Sequence, residues 1–509
     1  MTGGREVELK LVLDEGSSDR LEGGELLAGT KARKGRLRST YFDTHDRRLQ
    51  RAGASLRVRR DGGRFLQTVK SSSGNALFDR GEWEHPLSGE AVDRNLLEGT
   101  PAGDLVDAKT ELDALFTVDV ERRSRIVRCD ASEIEVAIDR GQISSDGSAA
   151  SERVSEVELE LKSGSPADLF KLARQLSAET PLRLGVRSKA ERGYALLDGG
   201  PEGACKAQPV TLTKSMTAGE AFQAIARACL RHMRLNEDAL LVRPEIESLH
   251  QLRVSLRRLR AAISIFGEML ADADAPQLRA RLKETLAPFG RARNLDVIAT
   301  KVLADERARH PDEPSLQDLE RRVQAEREQA YREVDALLRS DAWRSTILDL
   351  VAWIETGPWL TADDAALRDR PVKAFARDEL ARRRRKISKR GRHLDRLTPH
   401  ERHEVRIAAK KLRYGAEFFA SLFPKEKAAR RQGIFVKALA ELQDQLGDLN
   451  DIATTYEILD GLRFQESGNA PTHYAAGLLV ADAENRSEKL LRDARKAHKA
   501  FADAKRFWE

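Results

Sequence analysis

Residues 5–11 read Arg5-Glu6-Val7-Glu8-Leu9-Lys10-Leu11. Charged and apolar residues alternate with period two, the signature of a β-strand with unlike faces. Glu6, Glu8 and Lys10 share one face; Val7, Leu9 and Leu11 share the other. Two carboxylates and an ammonium in a row are out of place on a face buried inside a soluble domain. They are natural on a face that lines a wet, ion-filled channel.

The pattern recurs. Arg57 and Arg59 alternate with Leu56 and Val58, Thr68 and Lys70 with Val69, and Glu82 and Glu84 flank Trp83. Glu133 and Glu135 alternate with Ile134 and Val136. Glu156, Glu158, Glu160 and Lys162 alternate with Val157, Leu159 and Leu161. Each stretch alone reads as a solvated strand face. Together, all with apolar opposite faces, they predict a closed antiparallel β-barrel with a charged lumen, its apolar faces turned outward under helices or another domain.

A chain of 509 residues is expected to hold more than one domain. Its apolar runs fall far short of a bilayer span, and the first residues lack a signal-peptide core. Cys129, Cys205 and Cys229 show no metal-type spacing, which argues against a disulfide framework and fits a reducing cytoplasm. Charge is uneven: residues 1–215 carry 34 Lys+Arg against 36 Asp+Glu, net −2, and the remainder 54 against 46, net +8. A basic second part favours a polyanionic partner: nucleic acid, polyphosphate or an acidic membrane surface.

The composition divides the chain into residues 1–200, a Gly/Pro-containing linker at 201–215 and an all-α part at 216–509. The first part reads as α+β, short strands with flanking helical pieces such as Pro166–Leu176. The second part repeats itself. Ala221-Phe222 recurs at Ala374-Phe375, His250 at His403, Arg253 at Arg406, Arg257 at Lys410, Arg260 at Arg413 and Phe266 at Phe419, each with an offset of 153. Two copies, about 216–365 and 366–509, predict two pseudo-symmetric helical bundles. At about 100° per residue, Arg253, Arg257 and Arg260 fall within roughly an 80° arc of His250, next to a stripe of Leu252, Leu256, Leu259 and Ile263. Like charges at this spacing repel, so the row either is a solvated basic face or holds an anion. The run Arg382–Lys386 reads as an outer face. Few aromatics interleave with it, so nucleic-acid binding is poorly supported.

The strand motifs resemble those of the CYTH superfamily, the triphosphate tunnel metalloenzymes. Glu6-x-Glu8-x-Lys10 is followed in family order by Tyr41-Phe42-Asp43-Thr44, Leu56-Arg57-Val58-Arg59, Thr68-Val69-Lys70 and Arg80-Gly81-Glu82-Trp83-Glu84. Then come Glu133-x-Glu135, Glu156-Val157-Glu158-Leu159-Glu160-Leu161-Lys162 and Ser188-Lys189-Ala190-Glu191-Arg192-Gly193-Tyr194. The helical repeat is similar to the CHAD domain, the conserved histidine α-helical domain. His250-x-x-Arg253-x-x-x-Arg257-Arg258-Leu259-Arg260 and His403-x-x-Arg406-x-x-x-Lys410-Lys411-Leu412-Arg413 match its two half-motifs.

The first resemblance implies metal-dependent hydrolysis of a triphosphate. Arg57, Arg59, Lys70, Arg123, Arg125 and Lys189 are the expected substrate-binding cations, since guanidinium forks and ammonium charges suit phosphate oxygens. Glu6, Glu8, Glu156, Glu158 and Glu160 are the expected ligands for Mg²⁺ or Mn²⁺, which take carboxylate oxygen. Glu6, Glu8, Lys10 and Lys70 are the expected catalytic residues. Glu82, Glu84, Glu133 and Glu135 either orient cations or water, or balance charge between strands.

The second resemblance implies binding of inorganic polyphosphate by His250, Arg253, Arg257, Arg258, Arg260, Arg293, His403, Arg406, Lys410, Lys411 and Arg413. The second copy reads Gly447-Asp-Leu-Asn450 where the first has Gly290-Arg-Ala-Arg293, so the halves are expected to contribute unequally. The expected whole is a cytoplasmic inorganic triphosphatase, placed at polyphosphate granules. Two readings stay open here: a non-catalytic polyphosphate-binding adaptor, and a hydrolase or cyclase acting on thiamine triphosphate or a nucleoside triphosphate.

Overall fold

The alternation at the start of the chain is realised as strand β1 (Gly4–Leu13), with Leu9 and Leu11 fully buried. The computed structural model describes residues 4–14, 16–71, 78–107, 109–145, 150–199, 203–362, 365–464 and 470–509; the side chains of residues 4–6, 79–80, 451 and 453–486 are outside that description. The expectations for the Glu6 side chain therefore fall outside the described residues.

The chain divides into two units. Unit 1 comprises Met1–Cys205 together with Arg234–Arg243 and Arg339–Pro358; unit 2 comprises Lys206–Met233, Pro244–Leu338 and Trp359–Glu509.

After β1, unit 1 runs through α1 (Ser17–Glu22), α2 (Glu25–Ala28), β2 (Arg33–Asp43), α3 (Arg48–Arg51), β3 (Ala54–Asp61), β4 (Arg64–Ser71) and β5 (Asp79–Leu87). It continues with β6 (Asp113–Cys129), β7 (Ser132–Ser144), β8 (Ser151–Ser163), α4 (Pro166–Glu179), β9 (Leu182–Leu184) and α5 (Lys189–Leu197). All strand pairings are antiparallel.

The expected closed β-barrel is not what forms. The nine strands make one sheet in the order β5-β4-β3-β2-β6-β7-β8-β1-β9, with β9 as an end strand. The free edge of β1 is divided between two neighbours. Leu11–Leu13 pair with β9, and only Gly4–Val7 reach β5, in an additional pairing of four residues. With three of its edge positions given to β9, this ten-residue strand leaves too little edge to seal the sheet along its length. The sheet instead curls around its charged face.

The apolar face points outward, as the alternation requires. Leu9, Leu11, Ile134, Val136, Val157 and Leu159 are buried on it. Helix α4 lies over it, started by a Ser165 cap and Pro166 and burying Leu169, Phe170, Leu172, Ala173 and Leu176. Each of the three leucines and the phenylalanine contributes about 1.5–3 kcal/mol when fully buried. On the other face, α5 packs through Ala190 and Tyr194 on Leu37, Tyr41, Phe116, Val118 and Val120.

Unit 2 is helical, as the composition predicts. In the chain follow α6 (Ala218–Val242), α7 (Ile246–Ile265), α8 (Ala275–Glu284), α9 (Ala287–Val297), a π-helical turn (Ile298–Val302), α10 (Leu303–Arg309), α11 (Pro314–Leu338) and α12 (Asp341–Thr356). Then come α13 (Ala365–Arg368), α14 (Val372–Arg390), α15 (Pro399–Phe418), α16 (Glu426–Phe464) and α17 (Ala470–Asp503). Helix α12 belongs to unit 1, where it packs on α4 and Asp349 accepts a 2.6 Å hydrogen bond from Arg174.

The duplication is visible in the helices. Both α7 and α15 are 20 residues long, and their bounds differ by 153 at each end. The amide of Ala218 donates to the Arg370 carbonyl (2.8 Å) and that of Val372 to the Met216 carbonyl (3.0 Å), a reciprocal exchange around a local two-fold. Four phenylalanines related by the same offset meet there. Phe222–Phe266 and Phe375–Phe419 are 5.5 and 6.2 Å apart, joined by Phe266–Phe375 at 4.7 Å and Phe266–Phe419 at 6.0 Å.

Candidate functional site

The charged face of the sheet surrounds a cavity of about 340 Å³. Its lining includes Glu8 and Lys10 from β1, Arg57 and Arg59 from β3, Lys70 from β4, Glu82 and Glu84 from β5, Glu135 and Asp139 from β7, and Glu158, Glu160 and Lys162 from β8. Lys189 enters from α5. A capping box fixes the start of that helix: Ser188 Oγ accepts from the Glu191 amide, and the Glu191 carboxylate accepts from the Ser188 amide. Lys189 is the next residue, so the cap aims it.

The lining residues pair across the strands. Lys10 faces Glu158 in the β1–β8 register, and Lys10 Nζ donates to Glu158 Oε1 at 2.7 Å. Lys189 Nζ lies 2.5 Å from Glu156, 2.6 Å from Asp139 and 2.8 Å from Glu158. Arg122 grips Asp139 with two bonds of 2.7 and 2.6 Å and reaches Glu158 at 2.5 Å. Burial alone would raise the Glu158 pKa, but Lys10, Lys189 and Arg122 pull it well below the usual carboxylate range. Burial opposes the charge of Lys189 too, and the carboxylates Asp139, Glu156 and Glu158 outweigh it, holding the ammonium above its ordinary pKa.

Gly185 shapes this corner. Its amide donates to the Lys10 carbonyl at 2.8 Å, and a Cβ there would lie 2.8 Å from Lys10 Cγ. Only a glycine lets the chain cross Lys10 this closely without displacing it.

The opposite wall is cationic. Lys70 lies 3.2 Å from Glu82, its cross-strand neighbour, and Arg57 lies 3.9 Å from the same carboxylate. Two nitrogens of Arg57, Nε and Nη2, are buried with no hydrogen-bond partner among the described residues. Buried guanidinium donors left unmade are costly unless an acceptor arrives.

Several residues fall elsewhere than expected. Arg123 and Arg125 alternate away from the cavity and pair with Glu22, at 2.9 and 3.3 Å. Arg122 is the β6 cation that lines it. Glu156 sits behind the lining, 1% exposed and held by Lys189, Lys10 and Arg192. Glu133 pairs with Arg128 at 3.1 Å and does not line the cavity. Asp139 was not anticipated, although it continues the alternation Glu133, Glu135, Ala137 along β7.

A second cavity, of about 1140 Å³, lies within unit 2. Among the described residues ten lysines and arginines line it against two glutamates, so its field is strongly positive. Of the expected residues, His250, Arg253, Arg257, Arg260, Arg293, His403, Arg406, Lys410 and Lys411 line it. Arg258 and Arg413 do not. Arg258 bonds Glu417 at 2.9 Å and lies over the Phe418 ring at 5.0 Å. Arg413 is drawn to Gln443 and Glu417, at 3.1 and 3.3 Å.

The run Arg382–Lys386 is not simply an outer face. Arg382 lines the cavity, Arg383 donates to the Ser264 carbonyl and Arg384 to those of Ala502 and Ala504. Burial, then Arg257 and Arg293, push Arg253 down to about 9. Burial and the same two cations hold His250 below its usual pKa. His403 Nδ1 lies 2.5 Å from Asn450 Oδ1.

A CYTH domain model matches residues 4–194 and a CHAD domain model residues 224–460. The chain carries a CYTH domain followed by a CHAD domain. The chain is similar to an inorganic triphosphatase of Haemophilus influenzae, 32% identical over 163 residues, a match that covers 31% of this chain and 46% of that relative. The chain thus spans less than half of the curated relative's length.

The crystal structure of the CHAD domain from the plant Ricinus communis is 29% identical with a TM-score of 0.51, covering 59% of this chain and 97% of that one. PptA from Streptomyces chartreusis is 18% identical with a TM-score of 0.42, covering 56% and 100%. Among the described residues no helix is long and apolar enough to cross a membrane.

Proposed function

We propose that the CYTH domain hydrolyses inorganic triphosphate to diphosphate and phosphate with Mg²⁺ or Mn²⁺, and that the CHAD cavity holds inorganic polyphosphate in the cytoplasm, at polyphosphate granules. The observation that carries the first half is the Arg57 guanidinium, with two buried donors that no described residue satisfies, beside Lys70 and Arg59 on the cavity wall. Planar N–H forks and a nearby ammonium are what a row of phosphoryl oxygens requires. Glu82 orients both Lys70 and Arg57.

The charge balance of the lining supports a metal. Among the described residues the lining holds eight lysines and arginines and eight aspartates and glutamates, so they have no surplus to neutralise a triphosphate. Glu8, Glu158 and Glu160 turn carboxylate oxygens to the cavity and suit a hard divalent cation; Glu156, behind them, serves to hold Lys189. When bound, such an ion supplies Lewis-acid polarisation and an activated water. The protein's own part is to bind and orient the phosphates through Arg57, Arg59 and Lys70, and to keep Lys189 and Arg122 charged at fixed positions.

The lining favours an inorganic substrate over a nucleotide. Tyr41 is the only aromatic among the described lining residues, and its ring stacks on Phe116 at 4.7 Å, which leaves a base no platform. A phosphate-release screen over inorganic triphosphate, thiamine triphosphate and nucleoside triphosphates, with Mg²⁺ and with Mn²⁺, tests this. Inorganic triphosphate should lead; release from none of them would leave the adaptor reading.

A further inference from the structure

The CHAD cavity is unequal in its two halves. The first repeat lines it with six cations: Arg253, Arg257, Arg260, Arg279, Lys283 and Arg293. Among the described residues the second supplies four: Arg382, Arg406, Lys410 and Lys411. Arg382 is already paired with Glu379 at 2.8 Å.

Arg293 is matched by Asn450, and Arg413, the counterpart of Arg260, is turned aside; the two other unmatched cations of the first repeat share one element. Gly290 and Gly447 correspond with an offset of 157, which also aligns the buried Leu278 with Phe435 and Leu282 with Leu439. On that alignment Arg279 and Lys283 correspond to Val436 and Ala440. Helix α8, which carries the two cations, is a separate short helix followed by Pro288 and α9, whereas the matching part of α16 runs on unbroken from Glu426. Proline costs an interior helix a hydrogen bond and a clash, and so favours the break. Arg279 and Lys283 are one turn apart on one face and exposed, and among the described residues neither forms an ion pair. Cations held toward an already cationic cavity without a counter-charge are unfavourable until an anion bridges them.

We infer that the first repeat is the anchoring half of the anion site, with Arg279 and Lys283 of α8 as phosphate-binding residues that the second repeat has no counterpart for. The inference rests on the polyphosphate reading above. A linear polyanion would then be held mainly along α7 and α8, with the second repeat closing the far side.

The test uses the full-length chain and long-chain polyphosphate, titrated over a range of salt. The double variant Arg279→Ala/Lys283→Ala should lose about tenfold or more in affinity, and its salt dependence should be shallower by about 1.4, at roughly 0.7 per contact by analogy with single-stranded nucleic acid. A charge-matched pair outside the cavity, Lys427→Ala/Arg430→Ala on α16, should change affinity less than about twofold. Equal losses in both variants, or none in the α8 variant while the native chain binds, would overturn the inference. If the native chain itself failed to bind, the polyphosphate reading would fall first. Circular dichroism on both variants shows that the fold is kept, since all four side chains are exposed.

Discussion

Lys10 and Glu158 are direct cross-strand partners whose side chains meet at 2.7 Å, and the same carboxylate also accepts from Lys189 and Arg122. Three cations on one carboxylate make Glu158 the point on which the acidic wall depends. Glu158→Gln should lower triphosphate turnover by about two orders of magnitude or more.

The variant should also report on stability against pH. The depressed pKa of Glu158 stabilises the fold above its unfolded value of about 4.3, a contribution lost as pH falls further. The raised pKa of Lys189 stabilises it below about 10.4, a contribution lost at higher pH. The melting-temperature gap between native protein and Glu158→Gln should therefore be constant from about pH 5 to 9 and shrink below about pH 4. A gap that widened on acidification would contradict the ion-pair assignment.

Removing divalent metal should abolish hydrolysis. Dialysis against excess chelator, followed by stepwise return of Mg²⁺ or Mn²⁺, should take activity to background and back. Hydrolysis that persisted undiminished in chelator would remove the metal from the mechanism.

Arg57 and Arg123 separate cavity from outer face. Arg57→Ala should cut kcat/KM by about 100-fold, as loss of a buried charge-assisted contact to the reacting anion predicts. Arg123→Ala, which loses only its links to Glu22 and Glu121, should stay within about threefold. Similar losses for both would mean that the cavity is not where phosphate binds.

In the CHAD domain, ten described lining cations less two glutamates leave a surplus of eight. Affinity for polyphosphate should rise steeply with chain length up to about eight phosphates and flatten beyond. Arg257→Glu/Lys410→Glu should cut binding by about 100-fold or more while the unliganded protein melts no lower. Isothermal titration over defined chain lengths would show the break; an affinity indifferent to length would dissolve the argument.

His250 adds a pH dependence. Burial, with Arg293 and Arg257, keeps it neutral at pH 7. A bound polyanion cancels those charges and lets it protonate, so binding should tighten as pH falls from 7 to about 5.5. His250→Gln should flatten that slope. A slope unchanged in the variant would assign the effect to another group.

Much of this was legible in the chain because strand and helix periods are rigid. The parity of Glu8 and Lys10, or of Glu158 and Glu160, puts them on one face whatever the sheet does next. On β6 the run Arg122-Arg123-Ser124-Arg125 offers cations to both faces, and only the register against Asp139 chooses Arg122. Closure was illegible for a similar reason, because it depends on how β1 shares its edge between β5 and β9, which alternation does not encode. In the helical domain the offset of 153 placed Arg253 and Lys410 in one cavity. It could not show that Glu417 and Gln443 draw Arg413 aside, or that the Tyr414 and Phe418 rings, with Glu417, hold Arg258.

The four phenylalanines at the local two-fold make the two halves of the helical domain dependent on each other. Phe222 and Phe266 are fully buried, and Phe266 is covered by Phe375 and Phe419 from the other copy. A single copy, made alone, would bare that aromatic surface to water and would be driven to find a second. The ring cluster is the seam between the two copies, and it ties the folding of each to the presence of the other. Because one chain holds both halves at that seam, they need not match elsewhere: the first breaks its helix before Pro288 where the second keeps it whole.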